Sequence, residues 1–218
     1  MIAIIDYNAG NITSVKNAVD RLGYSCKITN SHEDIMSAEK VIFPGVGHAN
    51  SAMNLLIDKG LDNVIKSLLQ PTLGICLGLQ LMCKYSEEGN EKGGVECLGI
   101  FDAEVKRFPP TDIVPHMGWN TITLSNNSSL GNISNGIAST KIASPMNTSQ
   151  LFVGFNKEDS LYFIHSYFAT ICKHTIATCS YITPFSAALQ KDNFYAAQFH
   201  PEKSGDVGEM ILKNFLEL

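Results

Sequence analysis

Residues 71–82 read PTLGICLGLQLM. An apolar run at 72–75 meets a second run with helical spacing, and Cys76 stands at the junction, between Gly74 and Gly78. A short, unbroken apolar run next to a turn signal is how a strand buried on both faces reads, and the run over 77–86 predicts a helix. A strand buried on both faces needs helices on both sides, so this one unit already points to an α/β fold.

The surrounding sequence repeats the unit. IAIID (2–6) reads as a buried strand, and Ile12, Val15, Val19 and Leu22 follow at helical spacing, with Asn11 as N-cap and Gly23 as stop. CKIT (26–29) and KVIF (40–43) read as further strands; Ala49, Ala52, Met53 and Leu56, then Val64, Ile65, Leu68 and Leu69, mark two helices. Strands alternating with helices predict a mainly parallel sheet covered on both faces. Beyond residue 98 the pattern changes. GIFDAEVKRF (99–108), TITL (121–124), LYFIHSYF (161–168), TIATCSYI (175–182) and FYAAQF (194–199) are closely spaced and strand-like, which predicts antiparallel additions. Val207, Met210, Ile211, Phe215 and Leu218 place a helix at the end. The whole of 1–218 reads as one domain, with a loop insertion at about 125–150, where seven Ser and five Asn accompany a single charge, Lys141.

Bulk properties narrow the class. The 218 residues carry 16 basic and 21 acidic side chains, a net charge of −5, and no dense basic block. Nucleic acid and anionic membrane are therefore poor partners. No apolar run reaches the roughly 18 residues of a membrane span. MIAIIDYN lacks the basic n-region of a secretory signal. The six cysteines form no CxxC pair, so free thiols and a cytoplasmic setting are expected.

A cysteine where a strand turns into a helix sits in the field of the helix N-terminus, which favours thiolate over thiol. Gly74 and Gly78 leave room for a sharp turn and close backbone packing, as in a nucleophile elbow. Taken alone, G-x-C-x-G fits a packed thiol as well as a nucleophile. A nucleophile needs a base and the base an orienter. QFHPEKS (198–204) offers both: Pro201 biases His200 toward extended backbone, where His200 and Glu202 share one side. FPGVGHA (43–49) follows a strand, and Gly45 and Gly47 free the backbone, Val46 included, to aim N–H groups at a developing oxyanion. The N–H of Leu77 would add a second donor, and one such donor is worth roughly 3–4 kcal/mol. These residues together predict acyl transfer through a thioester.

GICLGLQ, FPGVG and QFHPEKS, in this order, resemble the class I (triad) glutamine amidotransferases. DYNAGN (6–11), PHMGWN (115–120) and YFIHSY (162–167) narrow the resemblance to the branch that supplies ammonia for imidazole glycerol phosphate synthesis in histidine biosynthesis. The likeness runs nearly end to end, apart from 125–150. It implies a three-layer α/β/α, flavodoxin-like fold with a mixed, mainly parallel sheet. It implies a Cys76–His200–Glu202 triad and an oxyanion hole from Gly45, Val46, Gly47 and Leu77. Gln80 would hold L-glutamine, with His165, Ser166 and Tyr167 lining its pocket largely through backbone. No cofactor or metal is implied. The partner would be a (β/α)8 synthase subunit in a heterodimer. Pro115, Met117, Gly118, Trp119 and Asn120 would face it, since aromatic and Met side chains anchor interfaces. On sequence alone Trp119 fits a core position equally well.

One departure keeps an alternative open. Trp119 and His165 stand 46 residues apart, longer than the family's usual span. A paralogue with the same chemistry, feeding ammonia into amidation of a bacterial surface sugar, would also fit. A non-catalytic regulatory subunit is disfavoured by retention of all three triad residues.

Overall fold

The computed structural model describes residues 1–8, 12–90, 93–125 and 149–218. Asn11 and nearly all of the Ser/Asn-rich stretch lie outside the described residues. The first half runs β1 (Ile2–Ile5), α1 (Ile12–Arg21), β2 (Cys26–Thr29), α2 (His32–Ser37), β3 (Lys40–Gly45), α3 (Ala49–Asp58), α4 (Leu61–Lys66), β4 (Thr72–Cys76) and α5 (Leu77–Met82). Six strands follow: β5 (Cys83–Asn90), β6 (Gly93–Glu96), β7 (Phe101–Arg107), β8 (His116–Thr121), β9 (Thr123–Leu124) and β10 (Ser160–His165). The chain closes with β11 (Tyr167–Ala169), β12 (Thr175–Ser180), β13 (Pro184–Lys191), β14 (Phe194–Ala197) and α6 (Gly205–Leu216).

Among the described residues the central sheet has the order β2-β1-β3-β4-β14-β13-β12-β9. The first five strands are mutually parallel, which is the flavodoxin-like order with β14 as the fifth strand. The last three are added antiparallel. Alternating side chains make the layers. Ala3, Ile5, Val41 and Phe43 join a core with α3, α4 and α5, whereas Ile2, Ile4, Ile42, Leu73 and Ile75 join a second core with α1 and α6. The result is a three-layer α/β/α arrangement.

Several expectations are corrected. The helix over 77–86 stops at Met82, because residues from Cys83 on pair with β7 and β6, and ladder pairing overrides local helical spacing. FYAAQF is no antiparallel addition: β14 lies parallel to β4 and carries residue 198 onward to the carboxyl end of the parallel sheet. The strands over 99–108 and 161–168 do not join the central sheet either. β7 and β11 belong to a four-stranded sheet, and β10 pairs with β8 in a two-stranded one. PHMGWN is mostly strand, its last five residues lying in β8.

The turn at Cys76 is closely packed. A Cβ on Gly78 would lie 1.9 Å from the Phe43 carbonyl oxygen, and one on Gly74 would lie 2.9 Å from Met82 Sδ and 3.0 Å from the Gly78 carbonyl carbon. The glycines thus permit close approach of α5 to β3 and β4, while the unusual dihedral falls on the cysteine itself, φ +54°. Gly78→Ala is expected to cost about 3 kcal/mol, roughly a 5–10 °C fall in Tm for a chain this size. Thermal unfolding by circular dichroism checks it, and an unchanged Tm would show that α5 is free to move away from β3.

Candidate active site

In open parallel sheets the carboxyl ends of the strands form the crevice where ligands bind. Here β3 ends at Gly45, β4 at Cys76, and β14 runs on to His200. Cys76 occupies a positive-φ conformation that a side chain adopts only when its surroundings hold it there. Its register partner across β3 is Gly45. The thiol is buried, accepts an N–H from Gln198 (Nε2···Sγ 3.7 Å) and lies 4.0 Å from the Ile164 carbonyl.

His200 and Glu202 meet as their spacing predicts, though by a different local geometry. His200 is extended (φ −101°, ψ 96°), but Pro201–Lys203 form a 3-10 turn with proline at its start. Proline's fixed φ suits that first position. His200 Nδ1 lies 2.8 Å from Glu202 Oε1, and both side chains are almost completely buried. The segment is pinned to β10: His200 N–H donates to the Tyr162 carbonyl at 2.9 Å, Tyr162 N–H to Ser204 Oγ at 2.9 Å, and Ser204 Oγ–H to the His200 carbonyl at 2.7 Å. His200 Nε2 is buried without a hydrogen-bond partner. Burial disfavours the imidazolium. The neighbouring Cys76 sulfur and the Glu202 carboxylate outweigh that penalty and push the His200 pKa up to about 10. The ring is thus held protonated through neutral pH, opposite a sulfur it can stabilise as thiolate.

A cavity of about 340 Å³ opens over Cys76. Val46, Gly47, Leu77, Gln80, Pro115, His165, Ser166, Tyr167 and His200 all border it. Gly45 does not: it is buried in β3, where a Cβ would meet the Tyr7 hydroxyl at 2.1 Å, and it borders a smaller cleft with Glu202. Gly47 has φ +113°, so its N–H direction is one that other residues rarely reach. Gln80 is oriented by the protein itself. Its Nε2 donates to the Tyr167 carbonyl at 2.9 Å and to Gln198 Oε1 at 3.1 Å, which leaves its carbonyl oxygen for a ligand. Pro115 borders the cavity as well as belonging to the exposed stretch. Met117 and Trp119 are 64% and 59% exposed, which excludes the core reading of Trp119.

Three further residues line the cavity without having been singled out from the sequence, Glu88, Ile164 and Lys203. Glu88 stands twelve positions after Cys76 on β5, within a charged run that reads as solvated surface. Its Oε2 accepts the Ala49 N–H at 2.8 Å, at the start of α3. Burial raises its pKa against the opposing effects of that bond and of His48. Tyr7, behind Gly45, is fully buried; burial and the nearby Cys76 hold its hydroxyl far above the usual phenol range. All six cysteines are free thiols, and no cluster of ligating side chains able to hold a metal occurs among the described residues. No helix among them is long and apolar enough to cross a membrane.

Chemically, the arrangement can attack a carbonyl with Cys76, offer backbone N–H groups to the resulting oxyanion, and deliver a proton from His200. Because Glu202 supports the imidazolium, Glu202→Gln is expected to slow iodoacetamide alkylation of Cys76 at pH 7 by about tenfold, the equivalent of one pKa unit on its partner. Mass-spectrometric timing of the alkylated peptide measures it, and an unaltered rate would detach Glu202 from the thiol.

Comparison with known proteins follows the same lines. The family model described as glutamine amidotransferase class-I matches residues 3–218. The imidazole glycerol phosphate synthase subunit HisH of Bacteroides fragilis is 52% identical over 220 residues, covering 100% of this chain and 99% of its own. The HisH subunit of Pasteurella multocida is 44% identical over 217 residues, covering 99% and 97%. A glutamine amidotransferase of known crystal structure superposes with a TM-score of 0.68 at 17% identity, covering 100% of this chain and 98% of that one, which speaks to the fold.

Proposed function

The chain belongs to the class I glutamine amidotransferase family, and from that premise we propose that it is the glutaminase subunit of imidazole glycerol phosphate synthase, acting in histidine biosynthesis. The observation that carries the assignment is the end-to-end identity of 52% to a HisH subunit. The observation that carries the chemistry is Cys76 on its positive-φ turn beside the His200–Glu202 pair.

In this reading the Cys76 thiolate attacks the γ-carboxamide carbon of L-glutamine. The oxyanion forms against the N–H of Leu77 and the backbone of Val46 and Gly47, with Gly45 holding that strand in place from beneath. His200, already an imidazolium, gives its proton to the departing nitrogen, and ammonia leaves a γ-glutamyl thioester on Cys76. The neutral ring then takes a proton from water, hydroxide attacks the thioester, and glutamate departs as the thiolate re-forms. Glu202 holds the ring in place throughout. The sum is glutamine plus water to glutamate plus ammonia.

The cavity suits the rest of the substrate. Glutamine carries an α-ammonium, and Glu88 is a carboxylate that borders the cavity, as does Gln80. His165, Ser166 and Tyr167 border the same cavity. Ammonia in bulk water is mostly protonated and then no nucleophile, so it must pass to a synthase subunit without solvent contact. The exposed Met117 and Trp119, flanked by Pro115, Gly118 and Asn120, are the surface we assign to that subunit, a (β/α)8 barrel forming a heterodimer with this chain.

Two outcomes are expected. Cys76→Ala abolishes glutamine-dependent synthesis by the two-subunit enzyme while synthesis from added ammonium salts persists; glutamine turnover surviving in that variant would refute the thioester route. Glu88→Gln raises KM for glutamine by about tenfold, equivalent to about 1.4 kcal/mol, with kcat changed much less. Since the Glu88 pKa is raised, KM of the unmodified enzyme climbs on acidification earlier than for an ordinary carboxylate, and falls back as pH returns to neutral. A KM indifferent to both changes would remove Glu88 from the substrate site.

A further inference from the structure

Two histidines that do no chemistry in this scheme lie buried between the exposed β8 surface and the nucleophile. His116 is 4% exposed and His165 6%. They face each other across the β8–β10 register. The His116 ring is stacked between Phe163 (4.9 Å between centroids) and Tyr181 (4.2 Å), so it cannot swing out of plane. Its variable feature is which nitrogen carries the proton.

That choice is dictated from both ends. At the outer end, Asn120 Oδ1 accepts the Thr121 N–H at 2.8 Å, which fixes the amide. Asn120 Nδ2 then donates to the Ser180 carbonyl at 3.2 Å and to His116 Nε2 at 3.3 Å. His116 Nε2 is therefore an acceptor, and its proton sits on Nδ1. At the inner end, His165 Nδ1 lies 2.7 Å from the Tyr167 carbonyl, which can only accept. His165 thus carries its proton on Nδ1 and leaves Nε2 to accept. The two deductions agree in the middle: His116 Nδ1–H points at His165 Nε2, 3.3 Å away. Burial, the dominant cause in each case, depresses the pKa of His116 to about 4 and of His165 to about 3; at His165 the bond to the Tyr167 carbonyl opposes it, and repulsion from His116 and His200 adds to it. Both rings are neutral at pH 7, as a single-file chain requires.

The chain continues inward. The Tyr167 carbonyl that receives His165 also receives Gln80 Nε2; Gln80 Nε2 donates to Gln198 Oε1, and Gln198 Nε2 donates to Cys76 Sγ. Along β8, meanwhile, alternate residues divide: His116 and Asn120 point inward and Met117 and Trp119 outward. We propose that Asn120, His116 and His165 form a one-directional hydrogen-bonded relay that places Gln80 and Gln198 about the Cys76 sulfur, so that His116 is a positioning residue through which the outer face of β8 addresses the nucleophile. The proposal rests on the reading of Cys76 as nucleophile. A partner seated on Met117 and Trp119 shifts the strand that carries the relay's first two members.

The test combines imidazole 15N NMR on the unmodified protein with kinetics of His116→Phe, which keeps an aromatic ring between Phe163 and Tyr181 but breaks both hydrogen bonds. In complex with the synthase subunit, both rings are expected as Nδ1–H tautomers that do not titrate between pH 6 and 8. H116F is expected to lose about tenfold in kcat, some 1.4 kcal/mol of barrier, with KM within about a factor of two, and to slow alkylation of Cys76 in proportion. An Nε2–H tautomer on either ring, ordinary titration near neutrality, or kcat and alkylation unchanged in H116F would overturn the relay. If H116F does not fold, the tautomers in the unmodified protein decide. A wild-type complex that hydrolyses no glutamine defeats the functional reading instead, and tautomers and alkylation still judge the relay.

Discussion

A backbone held at positive φ on Cys76, with α5 packed so closely on β3 that Gly78 leaves no room for a methyl group, is the constraint on which the rest depends. Strain at a single residue persists only where its surroundings over-determine it. Here they are two adjacent buried strands of the parallel sheet, β3 and β4, and a helix lying against them. The turn ends β4 abruptly, directs the sulfur into the crevice at the strands' carboxyl ends, and starts a helix whose N-terminus favours negative charge. The neighbouring β3 ends in register with it, Gly45 beside Cys76, and Val46 and Gly47 border the same cavity as the sulfur.

The second requirement is electrostatic. Burying His200 and Glu202 is costly unless each compensates the other, and the 2.8 Å contact between them supplies that compensation. The same contact makes the imidazole a ready proton donor. The small β8–β10 sheet ties these parts together. Its Tyr162 holds the backbone of the base, its Ile164 carbonyl lies against the thiol, and its outer strand presents Met117 and Trp119 to solvent. One element thus touches the base, the nucleophile and the surface assigned to the partner, which is a direct physical route for coupling glutamine hydrolysis to assembly.

Much of this is legible in the sequence, for a reason: buried parallel strands are nearly unbroken apolar runs, and β1, β3 and β4 read that way, while the edge strand β2 exposes Lys27 and Ile28 and α6 is marked by its apolar face. The nucleophile, base and acid are legible because turn chemistry and proline constrain them locally. What escaped depends on pairing between distant segments. β5 looks like the tail of a helix until β6 and β7 pair with it. β13, rich in Ala and Ser, lacks the large alternating side chains of an isolated strand. Glu88 sits in an acidic run, and its turn toward the cavity follows only from the path of β5. His116 and His165, 49 residues apart, become neighbours only through the β8–β10 register. The close backbone packing expected of the elbow glycines is what they provide, while the unusual dihedral falls on the cysteine between them.

Hydrolysis of glutamine through a covalent bond to Cys76 is tested most directly by acid quenching of the two-subunit enzyme during turnover of isotope-labelled L-glutamine, followed by digestion and mass spectrometry. A γ-glutamyl thioester is expected on the peptide containing Cys76, accumulating within the first turnover and disappearing on chase with unlabelled glutamine. Steady hydrolysis with no label on that peptide at any time point would contradict it.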